Sequence, residues 1–425
     1  MCFSQRANVK LGRMSFPLLR TIVCALATLA AGAAIGQRAD SGLSRKEAFA
    51  RAAALGAVGE KIFFDTSLSE SGTAACATCH SPNYAFGPPN TLAVQFGGSD
   101  GKQPGLRSVP SLKYLQATPP FAEHFHESDD EADASVDNGP TGGLTWDGRV
   151  DHGREQALLP LFSPFEMANH SSAVLANRVR RTPYAGELGK IFGEQVLSND
   201  EQMVTAVAEA LEAFEQDQRF YPYDSKYDAF LSGKVTLSPQ EARGRVLFNA
   251  PAKGNCSSCH ISERGANDTP PQFTDYGLIA IGVPRNAEIP ANRDPTVFDL
   301  GLCGPLRTDL TGHGEYCGRF KTPSLRNVAL RQVFFHNGSV HSLREAVAFY
   351  VERDTQPEKW YPRDAGGLVR KYDDLPTAYH ANVNSEPPFG TRPGNAPALT
   401  PGEIDDIVAF LKTLTDGYQI EQAKR

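Results

Sequence analysis

Two short segments of the chain carry cysteine and histidine with the same spacing. The residues are Cys76, Cys79 and His80 in the first segment and Cys256, Cys259 and His260 in the second. In a C-x-x-C-H sequence the two thiols form thioether bonds with a porphyrin, and the adjacent histidine becomes an axial ligand of the iron. Zinc is the alternative for such pairs, but it would require four protein ligands. The sequence therefore predicts two covalently bound haem c groups.

The start of the chain indicates export. Residues 1–13 are polar and basic, and residues 16–36 are apolar apart from Arg20. A basic start followed by an apolar run with small residues at its end is typical of a secretory signal peptide, which we expect at residues 1–36. A retained membrane anchor is the alternative, but a membrane span needs about 20 apolar residues and the run after Arg20 is shorter. We therefore expect a mature chain in the periplasm, where free thiolates are uncommon.

Two further cysteines, Cys303 and Cys317, flank a loop that contains three glycines in its sequence CGPLRTDLTGHGEYC. In an oxidising compartment such a pair predicts a disulfide bond. The bond would stiffen a loop that has little apolar core of its own. Its expected role is structural.

The composition excludes some classes of function. The chain has 425 residues, 42 Lys and Arg against 49 Asp and Glu, and a formal net charge of −7. A mildly acidic chain without a basic stripe is not expected to bind nucleic acid. Because 40% of the residues are hydrophobic and 21% are charged, neither general disorder nor a membrane-spanning mature protein is expected.

The elements around the two haem motifs are duplicated. A Gly-x-x-x-Phe segment precedes each motif, at Gly59–Phe63 and Gly244–Phe248, and a Pro-Ser-Leu triplet follows each one. The helical pattern at both copies predicts a mainly α fold with two cytochrome c-like haem domains in tandem, long loops and little β structure. We expect these domains at residues 37–235 and 236–425.

The duplication also predicts that the two irons differ. At a constant offset, Trp146 aligns with His336 and Pro160 aligns with Tyr350. A tyrosine phenolate can coordinate haem iron, whereas proline has no ligand atom, so one iron would be closed and the other open. The alternative for Tyr350 is an aromatic side chain packed in the core.

An open iron needs polar groups nearby. Gln156 and Glu166 flank Pro160 in the sequence, and a carboxylate above an open iron can move a proton between the two oxygens of a peroxide. The alternative for Glu166 is an ordinary surface or capping carboxylate.

With these residues assembled, the chain resembles the bacterial di-haem cytochrome c peroxidase family, and within it the MauG-like branch, most closely its MbnH-type members. The segments that carry the resemblance, besides the haem motifs, are Trp146–Arg149, Pro164–Met167, Phe320–Asn327 and Phe335–Gly338. The resemblance implies that His80 is the proximal ligand of a peroxidatic haem whose distal pocket contains Gln156, Pro160 and Glu166. It implies that His260 and Tyr350 are the axial pair of the second haem. It also implies that Trp146 couples the two haems.

The resemblance implies an enzyme that uses hydrogen peroxide. Conventional family members carry methionine where Tyr350 stands, and a phenolate instead favours high-valent iron. We therefore expect a bis-ferryl state that oxidises a side chain, of tryptophan type, on a partner protein by long-range electron transfer. The MbnH-type resemblance points to a copper-binding partner, whereas Gly254 and Asn255 replace the tryptophan with which MauG passes holes to its own substrate.

Two other functions remain open. One is peroxide reduction with electrons from a small cytochrome or a cupredoxin. The other is plain electron transfer without chemistry, which would require both irons to be closed.

Two further expectations concern ions and loops. In the family a calcium ion lies between the haems, and the matching residues here are Ser108 and the carbonyls of Arg331 and Val333. Serine stands where the family has an asparagine ligand. The acidic insertion at residues 123–137 is expected to be a solvated loop, with metal binding by His124 and His126 or docking through its carboxylates as the alternatives.

Overall fold

The computed structural model describes residues 42–126 and 137–420, and its regular structure is almost entirely helical. The predicted signal peptide at residues 1–36 lies outside these ranges, as does most of the acidic insertion. In chain order the α-helices are α1 Arg45–Phe63, α2 Cys76–Cys79, α3 Gly153–Phe162, α4 Ser172–Arg180, α5 Ala185–Phe192, α6 Asp200–Glu215, α7 Lys226–Leu231, α8 Pro239–Asn249, α9 Leu343–Glu352 and α10 Pro401–Lys412. The prediction of a mainly α fold is confirmed.

Two helices start at capping boxes that can be recognised in the sequence. The Ser238 hydroxyl accepts from the amide of Glu241 at the start of α8, and the Glu241 carboxylate accepts from the amide of Ser238. Thr400 and Glu403 make the same reciprocal pair at the start of α10. Each box satisfies amide donors that a helix start leaves without intrahelical partners.

Strands are few and very short among the described residues. Strand β1, Phe96–Gly97, pairs antiparallel with β2, Gln103–Pro104. Strand β3, Leu278–Ile279, pairs antiparallel with β4, Phe320–Lys321. The long connections between helices are otherwise turns, bends and single turns of 3-10 helix.

Each half of the chain has its own long helix pair. Helix α1 packs on α6, and a Cβ atom added at Gly59 would lie 1.8 Å from the carbonyl oxygen of Ala210. Helix α8 packs on α10, and a Cβ atom added at Gly244 would lie 1.9 Å from the carbonyl oxygen of Asp406. Both glycines therefore allow a close approach of two helix backbones, and they occupy matching positions ahead of the two haem motifs.

Buried apolar side chains form two main clusters. One draws its residues from Val58 to Phe220 and the other from Tyr227 to Leu414. The change from one cluster to the other falls close to the boundary expected at residue 235, and we keep the two-domain division as a proposal on that ground.

A third, smaller cluster surrounds a disulfide bond. Cys303 and Cys317 are joined with their Cα atoms 5.0 Å apart, which is the pairing predicted from the sequence. Both are buried with Leu302, Leu310 and Tyr316. In the part of the chain that the structure describes, no helix is both long enough and apolar enough to cross a membrane.

Candidate functional site

One cavity brings the two cysteine motifs together. Its volume is about 690 Å³, within the usual range of ligand and cofactor sites. The predicted residues that line it are Cys76, Cys79, His80, Ser108, Trp146, Gln156, Pro160, Glu166, Cys256, Cys259, His260, Arg331 and Tyr350. Val333 is fully buried and does not line the cavity.

Both motif histidines are oriented by a main-chain carbonyl. The Nδ1 atom of His80 lies 3.0 Å from the carbonyl oxygen of Phe86, and that of His260 lies 2.9 Å from the carbonyl oxygen of Phe273. A hydrogen bond donated by Nδ1–H leaves the Nε2 lone pair for a metal. Burial lowers the pKa of both histidines to about 4, so both are neutral at physiological pH. Each imidazole is therefore prepared to bind iron.

The two Pro-Ser-Leu triplets hold these carbonyls and the residues before them, and the amides of Leu112 and Leu325 donate to the carbonyls of Phe86 and Phe273 at 3.3 and 3.2 Å. The hydroxyl of Ser111 donates to the carbonyl oxygen of Ala85 at 2.6 Å, next to Phe86. The hydroxyl of Ser324 donates to that of Gln272 at 2.7 Å, next to Phe273. Sequence reasoning used the triplets as markers of the duplication and missed this role, although their repetition after both motifs was the available signal.

The four motif thiols fit covalent haem attachment. Among the described residues, Cys76, Cys79, Cys256 and Cys259 are the cysteines outside the disulfide. Burial is the main cause that raises the pKa of each thiol, so none is poised as a metal-binding thiolate. Neutral thiols beside a neutral histidine in an apolar cavity suit thioether attachment of haem c, and the residues present fit two such groups.

The predicted duplication extends to the turn and helix that follow each haem loop. The amide of Leu144 donates to the carbonyl of Val150 at 2.6 Å, and the amide of Phe334 donates to that of Val340 at 2.8 Å. Helices α3 and α9 then begin and end at matching positions, with ten residues each. Pro160 and Tyr350 are therefore equivalent residues of equivalent helices.

Tyr350 faces the second haem motif. Burial is the main cause that raises the pKa of its phenol, and the thiols of Cys259 and Cys256 act in the same direction. Its ring packs against Phe389 with centroids 5.5 Å apart. Within residues 42–126 and 137–420 its hydroxyl has no hydrogen-bond partner. The ring is thus packed as a core aromatic would be, while the oxygen is left available.

Glu166 is held beside the first haem motif by backbone contacts. The amide of Met167 donates to the carbonyl of Pro160 at 3.0 Å, which folds the segment after α3 back onto the helix. The amide of Gly98 donates to the carbonyl of Glu166 at 2.7 Å, and a Cβ atom at Gly97 would lie 2.8 Å from the Cα atom of Glu166. This close approach fixes the main chain of Glu166 at the cavity that its side chain lines.

The surroundings of Glu166 keep its carboxyl protonated to a higher pH than usual. Burial of the group raises its pKa, although the side chain has a surface open to the cavity. Its negative charge in turn raises the pKa of the Cys79 thiol. The carboxyl group therefore lies close enough to the first motif to act on a ligand bound there.

Trp146 is buried against the same cavity. Its Nε1–H donates to the carbonyl oxygen of Ser108 at 2.7 Å. The neighbouring Asp147 is bound by Arg107 at 2.7 Å and by Arg149 at 2.9 Å. Burial alone would raise the pKa of Asp147, but these two cations hold it below its ordinary value. The indole of Trp146 is therefore held by its own hydrogen bond and by the ion pairs of the adjacent Asp147.

Two of the three oxygens predicted to bind calcium already have a partner. The guanidinium of Arg331 donates to the carbonyl oxygen of Val333 at 3.2 Å and to the hydroxyl of Ser108 at 3.4 Å. In the described ranges no group of three or more His, Cys, Asp or Glu side chains is arranged to hold a metal ion. Calcium requires six to eight oxygen ligands at 2.3–2.6 Å. The residues present therefore do not fit the predicted calcium ion.

An ion pair joins the two described ends of the acidic insertion. His124 Nδ1 lies 2.6 Å from the carboxylate of Asp137, and this contact raises the pKa of the exposed His124.

One buried acid was not singled out from the sequence: Glu215, at the end of α6, lines the cavity, and burial raises its pKa to about 8. Its position at a helix end gave no signal of this environment.

Comparison with known proteins identifies several relatives. The model of the family described as di-haem cytochrome c peroxidase matches residues 53–236. The methylamine utilization protein MauG of Paracoccus denitrificans is 34% identical over 85% of this chain and 89% of its own length.

Two solved structures are also similar. The diheme peroxidase BthA of Burkholderia thailandensis is 42% identical with a TM-score of 0.75, over 85% of this chain and 86% of that chain. A MauG-like protein associated with microbial copper homeostasis is 26% identical with a TM-score of 0.59, over 86% of this chain and 90% of that chain.

Proposed function

The chain belongs to the di-haem cytochrome c peroxidase family, and we propose that it is a periplasmic member that oxidises a side chain of a partner protein. Membership makes it an oxidoreductase that acts with hydrogen peroxide and carries two haem c groups. The proposed substrate is a tryptophan-type side chain, from which electrons reach the haems over a long distance. The predicted signal peptide supports the periplasmic location.

The observation that carries this proposal is the difference between two equivalent helix positions. Tyr350 in α9 directs toward the second motif a phenol that has no hydrogen-bond partner among the described residues, and its counterpart in α3 is Pro160, which has no donor atom. A phenolate ligand at one iron and none at the other supports one closed and one open site. A plain electron-transfer protein would need both sites closed.

The chain's own residues supply proton handling at the open site. Cys76, Cys79 and His80 would hold a haem at the first motif, and this haem would supply the centre at which the peroxide O–O bond breaks. Glu166 would accept a proton from the peroxide oxygen nearer that centre and return it to the leaving oxygen. The amide of Gln156 lines the same cavity and would orient the bound peroxide.

The electrons balance across the two sites and the partner. Reduction of one hydrogen peroxide to two water molecules consumes two electrons and two protons, and both electrons come finally from the partner's side chain. Trp146, buried and fixed beside the cavity that both motifs line, is proposed to couple the two sites. A copper-binding partner is supported by the similarity to the structure associated with copper homeostasis.

The test is the reaction of the fully oxidised protein with hydrogen peroxide. We expect a near-infrared charge-resonance band in the wild type, together with Mössbauer signals that show both irons oxidised beyond the ferric level. Tyr350→Met should abolish the band or shorten its lifetime at least tenfold. Tyr361→Phe, which changes a buried tyrosine that does not line the cavity, is the matched control and should keep the band.

A different outcome would favour the other candidate. If the wild type reacts with peroxide only after one electron has been added, the protein is a peroxidase fed by a small cytochrome or a cupredoxin. An unchanged band in Tyr350→Met would remove the basis of the proposal.

A further inference from the structure

The side chain of Arg331 donates hydrogen bonds to oxygens from both halves of the chain. The guanidinium of Arg331 donates through Nε to the carbonyl of Val333 and through Nη1 and Nη2 to the carbonyl of Val109, each at 3.2 Å. Its Nη2 also donates to the hydroxyl of Ser108 at 3.4 Å. These distances are at the long end of the range for hydrogen bonds. A single planar cation thus bridges the segment before the first Pro-Ser-Leu triplet and the segment after the second.

Among the described residues, the partners of the Arg331 charge are carbonyl and hydroxyl oxygens. Burial lowers its pKa to about 10, and no acidic group in the described ranges contributes to that shift. The guanidinium therefore stays charged at neutral pH. Most other buried arginines of this protein, such as Arg107 and Arg326, are paired with carboxylates. Carbonyl and hydroxyl oxygens around an isolated cation are the environment of a bound metal ion.

We propose that the guanidinium of Arg331 is a built-in substitute for a calcium ion, so that this protein neither binds nor requires calcium between its two motifs. The Arg331 side chain is part of the chain itself, so it supplies one positive charge to these oxygens permanently. It also has the right donors for carbonyl oxygens about 3 Å away, whereas a calcium ion would have to draw the same oxygens to 2.3–2.6 Å.

The position of Arg331 links it to Trp146. Ser108, whose hydroxyl accepts from Arg331, uses its carbonyl to accept from the Trp146 indole at 2.7 Å. Its amide donates to the carbonyl of His336 at 2.7 Å. Arg331 is therefore a positioning residue for the segment that holds Trp146, and its charge lies on the wall of the cavity that His80 lines. This inference does not depend on the proposed substrate or on the reaction with peroxide.

The first experiment measures calcium in the haem-loaded wild type. Elemental analysis of the purified protein should find far less than one calcium per chain. Neither excess calcium chloride nor the chelator EGTA should change the absorption spectrum or the reduction midpoints of the haems. One calcium per chain, or a spectrum that collapses in EGTA and recovers with calcium, would overturn the proposal.

The second experiment removes the charge. At a fixed potential, Arg331→Gln should lower the reduced-to-oxidised ratio of the haem at the first motif about tenfold, because a nearby positive charge favours the reduced iron. For a one-electron couple, this tenfold change corresponds to a reduction midpoint that is lower by about 59 mV. Arg331→Lys keeps the charge and should retain most of the wild-type midpoint.

The control for the second experiment is Arg363→Gln, which removes an exposed arginine and should leave the midpoint unchanged. Circular dichroism identifies any variant that fails to fold. A folded Arg331→Gln protein with the wild-type midpoint would contradict the proposal.

Discussion

Glu166 illustrates how a single residue can be tuned by its backbone. The close contact with Gly97 and the hydrogen bond from Gly98 hold its main chain, and burial raises the pKa of its carboxyl. A general base must be ionised before it can accept a proton. The raised pKa therefore moves the onset of that activity to higher pH than for an ordinary glutamate.

This tuning predicts the pH dependence of the reaction with peroxide. The rate should rise with pH as Glu166 ionises, with its midpoint above the ordinary value for glutamate. Glu166→Gln cannot accept the proton, so it should react about 10²–10⁴-fold more slowly and lose this pH dependence. Stopped-flow measurement of the ferric protein with peroxide from pH 4 to 9 provides the check. A Gln variant with the wild-type profile would assign the proton transfer to another group.

At the scale of helices, the two long pairs depend on glycine at their crossing points. The added Cβ atoms at Gly59 and Gly244 would lie within 2 Å of a carbonyl oxygen on the facing helix. Backbone atoms cannot move away as a flexible side chain can, so alanine must push the helices apart.

We expect Gly59→Ala and Gly244→Ala each to lower the free energy of unfolding by about 1–3 kcal/mol or more. Gly186 in α5 and Gly402 in α10 have no atom within 4 Å of an added Cβ, so alanine there should be neutral or stabilising. Thermal unfolding of the four haem-loaded variants provides the comparison. Equal melting temperatures for crossing and control variants would show that the pairs are not closely packed at these glycines.

The sequence predicts local structure in this protein better than long-range contact. The caps at Ser238 and Thr400 could be recognised because a capping box involves residues only three positions apart. The equivalence of Pro160 and Tyr350 could be recognised because the duplication preserves their spacing.

The contacts that complete the site could not be recognised in the same way. Arg331 reaches Ser108 and Val109 across more than half of the chain, and Arg107 reaches Asp299 over a comparable distance. A long flexible side chain leaves no periodic signal of its target in the sequence. For the same reason nothing in the sequence indicated that Arg331 would contact two of the oxygens at which calcium was expected.

For the whole molecule, an ionic cluster ties the first half of the chain to the second. Arg107 binds Asp299 at 2.6 Å and Asp147 at 2.7 Å, and Asp147 is fully buried. Burial alone would raise the pKa of both carboxyls, but the Arg107 charge holds both below their ordinary values. The stability from this cluster is complete above about pH 3.9, the pKa of an unfolded aspartate, and is lost as pH falls through the lowered folded values.

We expect Arg107→Gln to lower the free energy of unfolding by up to about 3–5 kcal/mol at pH 7, because Asp299 loses its cation and the buried Asp147 keeps only Arg149. The difference in the free energy of unfolding between the variant and the wild type should become smaller below about pH 4, where protonation neutralises Asp147 and Asp299. Denaturant unfolding at pH 7 and pH 3.5 tests both statements. Lys61→Gln, which breaks an exposed pair with Glu187, is the control and should cost no more than about 1 kcal/mol. A pH-independent difference would show that Arg107 acts by packing rather than by charge.

The cavity shared by both motifs also bears on when haem can be attached. The four motif cysteines line this cavity. The four cysteines are only partly exposed in the folded chain, so an enzyme that attaches haem would have restricted access to them. We therefore expect haem attachment to precede completion of the fold.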